Sequence, residues 1–161
     1  MGKHKPSEQY PHISVGKRPV AIDADIDKIY VVNQEEGTVS VINGDNNTVV
    51  NTISIGYKPT SIATNFKNSI YVGGSDTVSV IDTGNNTVVN TIKVGNLPYD
   101  LDIDIFNNAI YVANAGDGTI SVIDRDVNKV VSKVMFNIEP FNAGHIECDK
   151  DKSIAPIAQQ F

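Results

Sequence analysis

Carboxylate side chains recur at alternate positions in one stretch of this sequence. Asp100, Asp102 and Asp104 are each separated by a single apolar residue, so in an extended strand all three point to the same face. Asp23 and Asp25 form a similar pair nearer the N-terminus. Hard cations such as Ca²⁺ take several oxygen ligands, and the spacing is therefore compatible with a cation site.

The C-terminal region adds His145 and Glu147, which alternate onto one face of a strand, with Cys148 on the other. Their order matches no zinc or nucleophile signature, so we predict no catalytic residue and no cofactor beyond Ca²⁺. The alternative is that the acidic residues lie in turns or at strand ends, where Asp is common. The weak candidates for a cation site are Asp23, Asp100, Asp102, Asp104, His145 and Glu147.

Bulk composition excludes two classes of partner. The 161 residues carry a net charge of −6, whereas nucleic-acid binding depends on clustered Lys and Arg. No run of about 18 apolar residues exists that would predict a membrane-spanning helix. With 40% hydrophobic residues, the chain can bury a core of its own.

The candidate residues belong to a segment of about 40 residues that is repeated three times and begun a fourth time. A proline recurs at Pro19, Pro59, Pro98 and Pro140, and a tyrosine follows in the first three copies. Each copy contains four short stretches rich in Val, Ile, Thr and Tyr, separated by Gly, Asn and Asp. Four such stretches predict an antiparallel meander, the blade of a β-propeller.

The predicted fold is therefore all-β, with propeller blades of four antiparallel strands, about three of them complete and a fourth incomplete. Residues 1–8 are predicted to be a tail, and residues 9–161 the propeller domain. Within it we assign 9–16 to the outer strand of a completing blade, 17–55 to blade 1, 56–94 to blade 2, 95–137 to blade 3 and 138–161 to a partial blade 4.

The repeat resembles the YVTN repeat of β-propellers in archaeal surface-layer proteins and in many bacterial proteins. The residues that carry the resemblance are Tyr-Val-Val-Asn at 30–33, Tyr-Val-Gly-Gly at 71–74 and Tyr-Val-Ala-Asn at 111–114. Copy two departs from the motif at Gly73 and Gly74, but we expect its strand to form. The resemblance implies a cell-surface or extracellular location, although no apolar stretch of a secretory signal follows Met1.

Three blades leave the ring open, because propellers close with four to eight blades. We favour the interpretation that two chains join into one ring of roughly eight blades. A fragment of a longer propeller and a cramped ring of four blades within one chain stay open. We further expect the strand at 9–16 to complete a blade whose inner strands come from residues 140–157.

These observations favour a non-catalytic binding or scaffold module that engages another protein or a cell surface through its loops or by ring assembly. One alternative is a propeller enzyme of the lyase or hydrolase kind with Asp and His in its channel. Another is a truncated or designed piece with no separate activity. Asn46 and Asn85 fit the glycosylation pattern, although the same residues suit tight turns.

Overall fold

The computed structural model describes residues 12–135, and the regular elements in that part of the chain are twelve β-strands. They form three antiparallel sheets of four strands. The first sheet contains β1 (Pro19–Ala24), β2 (Lys28–Asn33), β3 (Thr38–Asn43) and β4 (Thr48–Ser54). The second contains β5 (Pro59–Thr64), β6 (Ser69–Gly74), β7 (Thr77–Asp82) and β8 (Thr87–Lys93). The third contains β9 (Pro98–Asp104), β10 (Ala109–Asn114), β11 (Thr119–Asp124) and β12 (Lys129–Met135).

Strands that follow one another in the chain lie side by side in every sheet. This confirms the predicted all-β class, and we call the three sheets blades 1, 2 and 3. The predicted tail at 1–8 and the partial blade at 138–161 lie outside the described residues. Residues 12–16 contain no regular strand, and the outer strand at 9–16 stays a prediction. Between residues 12 and 135 there is no helix of the length and hydropathy needed to cross a membrane.

Each blade is bulged at the same two places. One extra residue follows the first proline of each inner strand, and one interrupts each outer strand. A bulge breaks the regular hydrogen-bonding edge of a strand and increases its twist, which discourages pairing with a foreign strand. The bulged residues are Val20, Thr60 and Tyr99 in the inner strands and Val50, Val89 and Val131 in the outer strands.

The outer hairpins use the turn chemistry that the sequence predicted. The side-chain oxygens of Asn43, Asp82 and Asp124 each accept hydrogen bonds from backbone N–H groups two and three residues later. The last turn residue is in each case an asparagine with φ between 51° and 57°, a conformation that Asn tolerates better than most side chains. The equivalent asparagines are Asn47, Asn86 and Asn128.

The core consists of two apolar layers, one at each junction between blades. Tyr30, Val32 and Val39 of blade 1 pack against Ile62 and Ile70 of blade 2. The opposite face of blade 2 packs in the same way against blade 3. The middle strands of blade 2 are consequently buried on both faces, as the apolar residues throughout their sequence indicate.

Polar contacts at the blade openings differ between the copies. In blade 3, Asn114 Nδ2 donates to Ser121 Oγ at 2.9 Å, and its Oδ1 accepts from the Gly95 N–H at 3.1 Å. In blade 1, Asn33 Nδ2 bonds Ser40 Oγ at 2.8 Å. Blade 2 has Gly74 at this position, and its β6 strand forms as expected.

Tyr57 takes over the role of the missing asparagine in blade 2. Its hydroxyl lies 3.0 Å from Ser79 Oγ and donates to the Val72 carbonyl at 3.0 Å. A Cβ atom on Gly74 would lie 2.6 Å from Tyr57 Cε2 and 2.5 Å from the Lys58 carbonyl oxygen. The crossover backbone also changes, with the positive φ at Gly56 rather than one residue before the proline. Tyr57 and Gly74 are thus a matched pair.

We expect Gly74→Asn to destabilise the protein by about 1–3 kcal/mol, because the new side chain overlaps Tyr57 and the backbone of Lys58. Tyr57→Asn alone leaves the Ser79 hydroxyl without its partner, at a cost of about 1–3 kcal/mol. The double variant should lose less than the two single losses combined, since the asparagine introduced at position 74 can then bond Ser79. Urea unfolding of the four proteins measures this coupling; strictly additive losses would contradict the pairing.

A buried phenol lies at the junction between blades 1 and 2. Tyr30 is 0% exposed, and its hydroxyl forms no completed hydrogen bond. Burial, followed by the nearby charges of Asp25 and Asp27, raises the pKa of Tyr30 from 10.0 to about 12, and the Thr83 side chain close by offsets only part of this rise. The folded protein therefore holds this proton at a pH where the unfolded chain has lost it.

Stability should consequently fall as pH rises from 10 through about 12, the two pKa values of Tyr30. Tyr30→Phe removes the group that titrates, so we expect a shallower decline in the free energy of unfolding above pH 10. Tyr71→Phe, at the equivalent position of blade 2, controls for loss of a phenol where the turn contains no Asp. Denaturant midpoints at about pH 8 and about pH 11 provide the comparison. An unchanged alkaline decline in Tyr30→Phe counts against this explanation.

Candidate functional site

A groove of about 950 Å³ runs along the inner strands of the three blades. Its walls come from β1, β5 and β9, which contact one another from blade to blade. In a closed propeller, the central channel would run along this groove. The polar side chains that line it are Arg18, Asp23, Gln34, Thr60, Ser61, Tyr99, Asp100 and Asp102.

The structure brings part of the predicted cation set to this groove. Asp100, Asp102 and Asp23 line it, whereas Asp104 ends β9 and belongs to the following turn. His145 and Glu147 lie outside the described residues. Within residues 12–135, no group of three or more His, Cys, Asp or Glu side chains is arranged to hold a metal ion. A cation site therefore stays a prediction from the sequence.

Asp104 has a structural task in the turn between β9 and β10. Its Oδ1 accepts from the backbone N–H groups of Phe106 at 2.9 Å and Asn107 at 3.0 Å, and its Oδ2 accepts from Asn107 Nδ2. These hydrogen bonds, that from the Asn107 backbone first, lower the pKa of Asp104. The carboxylate is accordingly committed to holding the hairpin.

Asp23 lines the groove, but its carboxylate also connects two blades. Its Oδ2 accepts the Thr64 backbone N–H at 2.7 Å, and its Oδ1 accepts the N–H of Ala24 at 2.8 Å. Lys28 Nζ makes a second bond across the same junction, to the Thr83 carbonyl at 2.8 Å. Asp23 thus forms a polar link between β1 and β5.

Five polar residues of the groove were not predicted as site residues from the sequence, namely Arg18, Gln34, Thr60, Ser61 and Tyr99. Tyr99 is the bulged residue of β9 and leaves 62% of its surface exposed. Arg18 adopts φ of 54° just before the proline of blade 1. Ser61 is 4% exposed, and its hydroxyl has no hydrogen-bond partner. The position directly after each proline was the available signal for the bulge, because it has the same offset in every copy. The direction in which its side chain points follows only from the strand register.

One face of blade 3 is less covered than its counterparts. Tyr30 and Tyr71 are 0% and 3% exposed, but Tyr111, at the same register position, is only half-buried. Ile120 and Val122 on the same face are also half-buried, whereas the equivalent valines of blades 1 and 2 are at most 3% exposed. This apolar sheet face, which we call the open face of blade 3, has no fourth blade packed on it among the described residues.

Both glycosylation candidates lie in exposed outer turns. Asn46 Oδ1 accepts from the Thr48 N–H at 3.1 Å and from its hydroxyl at 2.7 Å. Asn85 makes the equivalent bonds with Thr87 at 3.1 Å and 2.6 Å. The two residues therefore have a role in folding their hairpins, and their glycosylation stays a hypothesis.

Comparison with known proteins supports the architecture. No protein-family model matches the chain, and no curated protein matches it. Among solved structures it is similar to hydrazine synthase from Kuenenia stuttgartiensis, with a TM-score of 0.72 and 24% identity over 80% of this chain. The chain spans only 39% of the length of that structure's chain. At this identity the likeness extends to the propeller-like fold alone.

The link between blades gives a direct test of the geometry. Asp23→Ala leaves the Thr64 N–H without an acceptor at a buried position, so we expect a loss of about 1–3 kcal/mol in the free energy of unfolding. Asp23→Asn keeps a carbonyl oxygen and should lose less. Urea unfolding of both variants makes the measurement. Equal losses would show that the acceptor oxygen is not what stabilises this junction.

Proposed function

We propose that this chain is a non-catalytic β-propeller module that acts as a scaffold, and that its first partner is a second copy of itself. Two chains would then complete one ring of roughly eight blades. The observation that carries the proposal is the open face of blade 3, on which we place an incomplete fourth blade that the second chain would complete. Apolar faces of this kind are usually covered in folded proteins, and a repeat gains its stability from contact with its neighbours.

The chain's own fourth copy is the occupant that we assign to the open face. The proline of the next copy follows the end of the outer strand at a constant spacing, from Ser54 to Pro59 and from Lys93 to Pro98. Met135 and Pro140 repeat that spacing. Residues 136–161 would therefore begin a fourth blade directly against blade 3.

Asp102 supplies a specific anchor for this blade. It pairs with Tyr111 in the register in which Asp23 pairs with Tyr30. Asp23 accepts the backbone N–H of Thr64, which lies five residues after Pro59. Aligned on Pro140, the corresponding donor for Asp102 would be the backbone N–H of His145.

The second chain would complete this composite blade. Residues 9–16 align with the end of an outer strand, and Gly16 lies against Asn33 of blade 1 as Gly95 lies against Asn114 of blade 3. This likeness supports the proposal that the segment before Gly16 ends an outer strand of a preceding blade. In a ring of two chains, that preceding blade is the fourth copy of the partner.

Light scattering of the full chain tests assembly directly. We expect a discrete species of twice the 17.4 kDa chain mass, independent of concentration in the micromolar range. A monomer at all concentrations contradicts the two-chain ring. In that case the chain either closes on itself or needs blades from a longer protein.

A pair of substitutions tests whether the open face is covered in the full chain. Val80→Thr places a hydroxyl in the layer between blades 2 and 3, where Val80 is 3% exposed, and should lose about 1–3 kcal/mol. Val122→Thr makes the same change at the equivalent register position of the open face. We expect a comparable loss there. A cost near zero for Val122→Thr means that solvent reaches this face, and that no fourth blade occupies it.

A further inference from the structure

Large apolar side chains project from one end of the propeller. The turns between the first and second strands of the blades, at residues 25–27, 65–68 and 105–108, carry Ile26, Phe66, Ile105 and Phe106. Their exposed fractions are 90%, 60%, 58% and 77%. Because β5 contacts both β1 and β9 and the three are equivalent inner strands, these turns lie side by side at the same end of the groove. We call these four residues the apolar rim.

The turns that carry the apolar rim are held by their own hydrogen bonds. Asn65 Oδ1 accepts from the N–H groups of Lys67, Asn68 and Ser69 at 3.0–3.1 Å. Asp104 holds the third turn in the same manner through Phe106 and Asn107. A turn backbone fixed in this way loses little conformational freedom when a partner binds.

Phe66 breaks a local rule. Its φ is 55°, a left-handed conformation that is costly for a bulky side chain and that Asn or Gly would adopt more readily. Asparagine has this geometry at four other positions, Asn47, Asn86, Asn108 and Asn128, and Arg18, Ser75 and Leu97 adopt it as well. Phe66 gains no compensating burial, since more than half of it is in solvent. Residues that oppose stability without a packing gain often serve binding.

Charge around the apolar rim is mainly acidic. Asp25 and Asp27 flank Ile26, and Asp104 directly precedes Ile105. Lys67 is the basic residue within these three turns, and Lys28, directly after Asp27, donates to the Thr83 carbonyl. An acidic border around apolar side chains complements a partner that presents Lys or Arg around an apolar surface, and it opposes binding to an anionic lipid surface.

We infer that the apolar rim is a docking surface for a protein segment that presents apolar residues bordered by Lys or Arg. Ile26, Phe66 and Phe106 supply the apolar contact, and Asp25 and Asp27 select the basic border. This surface lies on the turns and not on the faces of the blades, so it stands whether or not the ring closes as proposed above.

The test uses the full chain and a fluorescent amphipathic peptide of leucine and lysine as the probe, with a leucine and glutamate peptide as its charge-reversed twin. We expect the lysine peptide to bind and the glutamate peptide not to bind. Phe66→Asn combined with Phe106→Ser should weaken binding at least about tenfold. Val50→Ser combined with Val89→Ser is the matched control, because these valines are 55% and 58% exposed on the outer strands, and it should bind as the parent does.

Phe66→Asn also separates binding from folding. Asn suits the left-handed turn, so this single variant should melt at the same temperature as the parent or about 2–4 °C higher. A lower melting temperature would show that Phe66 has a structural role and overturn the inference. Equal binding of both peptides, or equal loss in the valine control, overturns it as well. So does Phe66-dependent co-sedimentation with phosphatidylcholine vesicles, which would identify a lipid surface.

Discussion

Each sheet of this protein is stable only with another sheet packed on its faces. A four-stranded meander is too thin to bury its own side chains, and the middle strands carry apolar residues toward both sides. Blade 2 meets the requirement within the described residues, and its Ile70, Val72 and Val78 are fully buried. The described part of the chain therefore has no core in the ordinary sense of a single centre. Its stability lies in layers between blades, and each added blade brings one more layer.

The polar contacts vary from one junction to the next, whereas the apolar layers determine how the blades stack. The two junctions between blades have similar apolar packing but different hydrogen bonds. Asp23 and Lys28 link blades 1 and 2, while Thr60 bonds the Pro98 carbonyl at the next junction. Even the asparagine of the repeat can be replaced when Tyr57 reaches Ser79 from the crossover. A repeat can thus diverge in its polar residues while the geometry that stacks the blades is kept.

Strands and outer turns were predictable because their signals recur at fixed offsets. The Val-Ser-Val-Ile stretch of β3 and β7, at 39–42 and 78–81, and the Asn and Asp of the turns reflect local backbone preferences. These preferences act within a few residues. The positions of the three β9 carboxylates in the folded protein were not predictable in the same way. Asp100 and Asp102 line the groove while Asp104 folds a turn, although the three alternate identically in the sequence. The difference arises from where β9 ends, which depends on its pairing with β10 and not on the carboxylates. Tyr99 was not predicted to line the groove for a related reason. A bulge reverses the expected alternation of side chains along the strand.

The variation that remains after packing is concentrated in the turns. The inner turn has three residues in blade 1 and four in blades 2 and 3, and its tips range from isoleucine to phenylalanine. The outer turns, in contrast, keep asparagine at their left-handed position in all three blades, whereas the inner turns have Phe66 there in blade 2 and Asn108 in blade 3. Turn stability alone would make both sets equally regular, since both face solvent and both join antiparallel neighbours. The inner turns are irregular, and one of them holds a phenylalanine in an unfavourable conformation. They therefore indicate a constraint other than folding at that end of the groove.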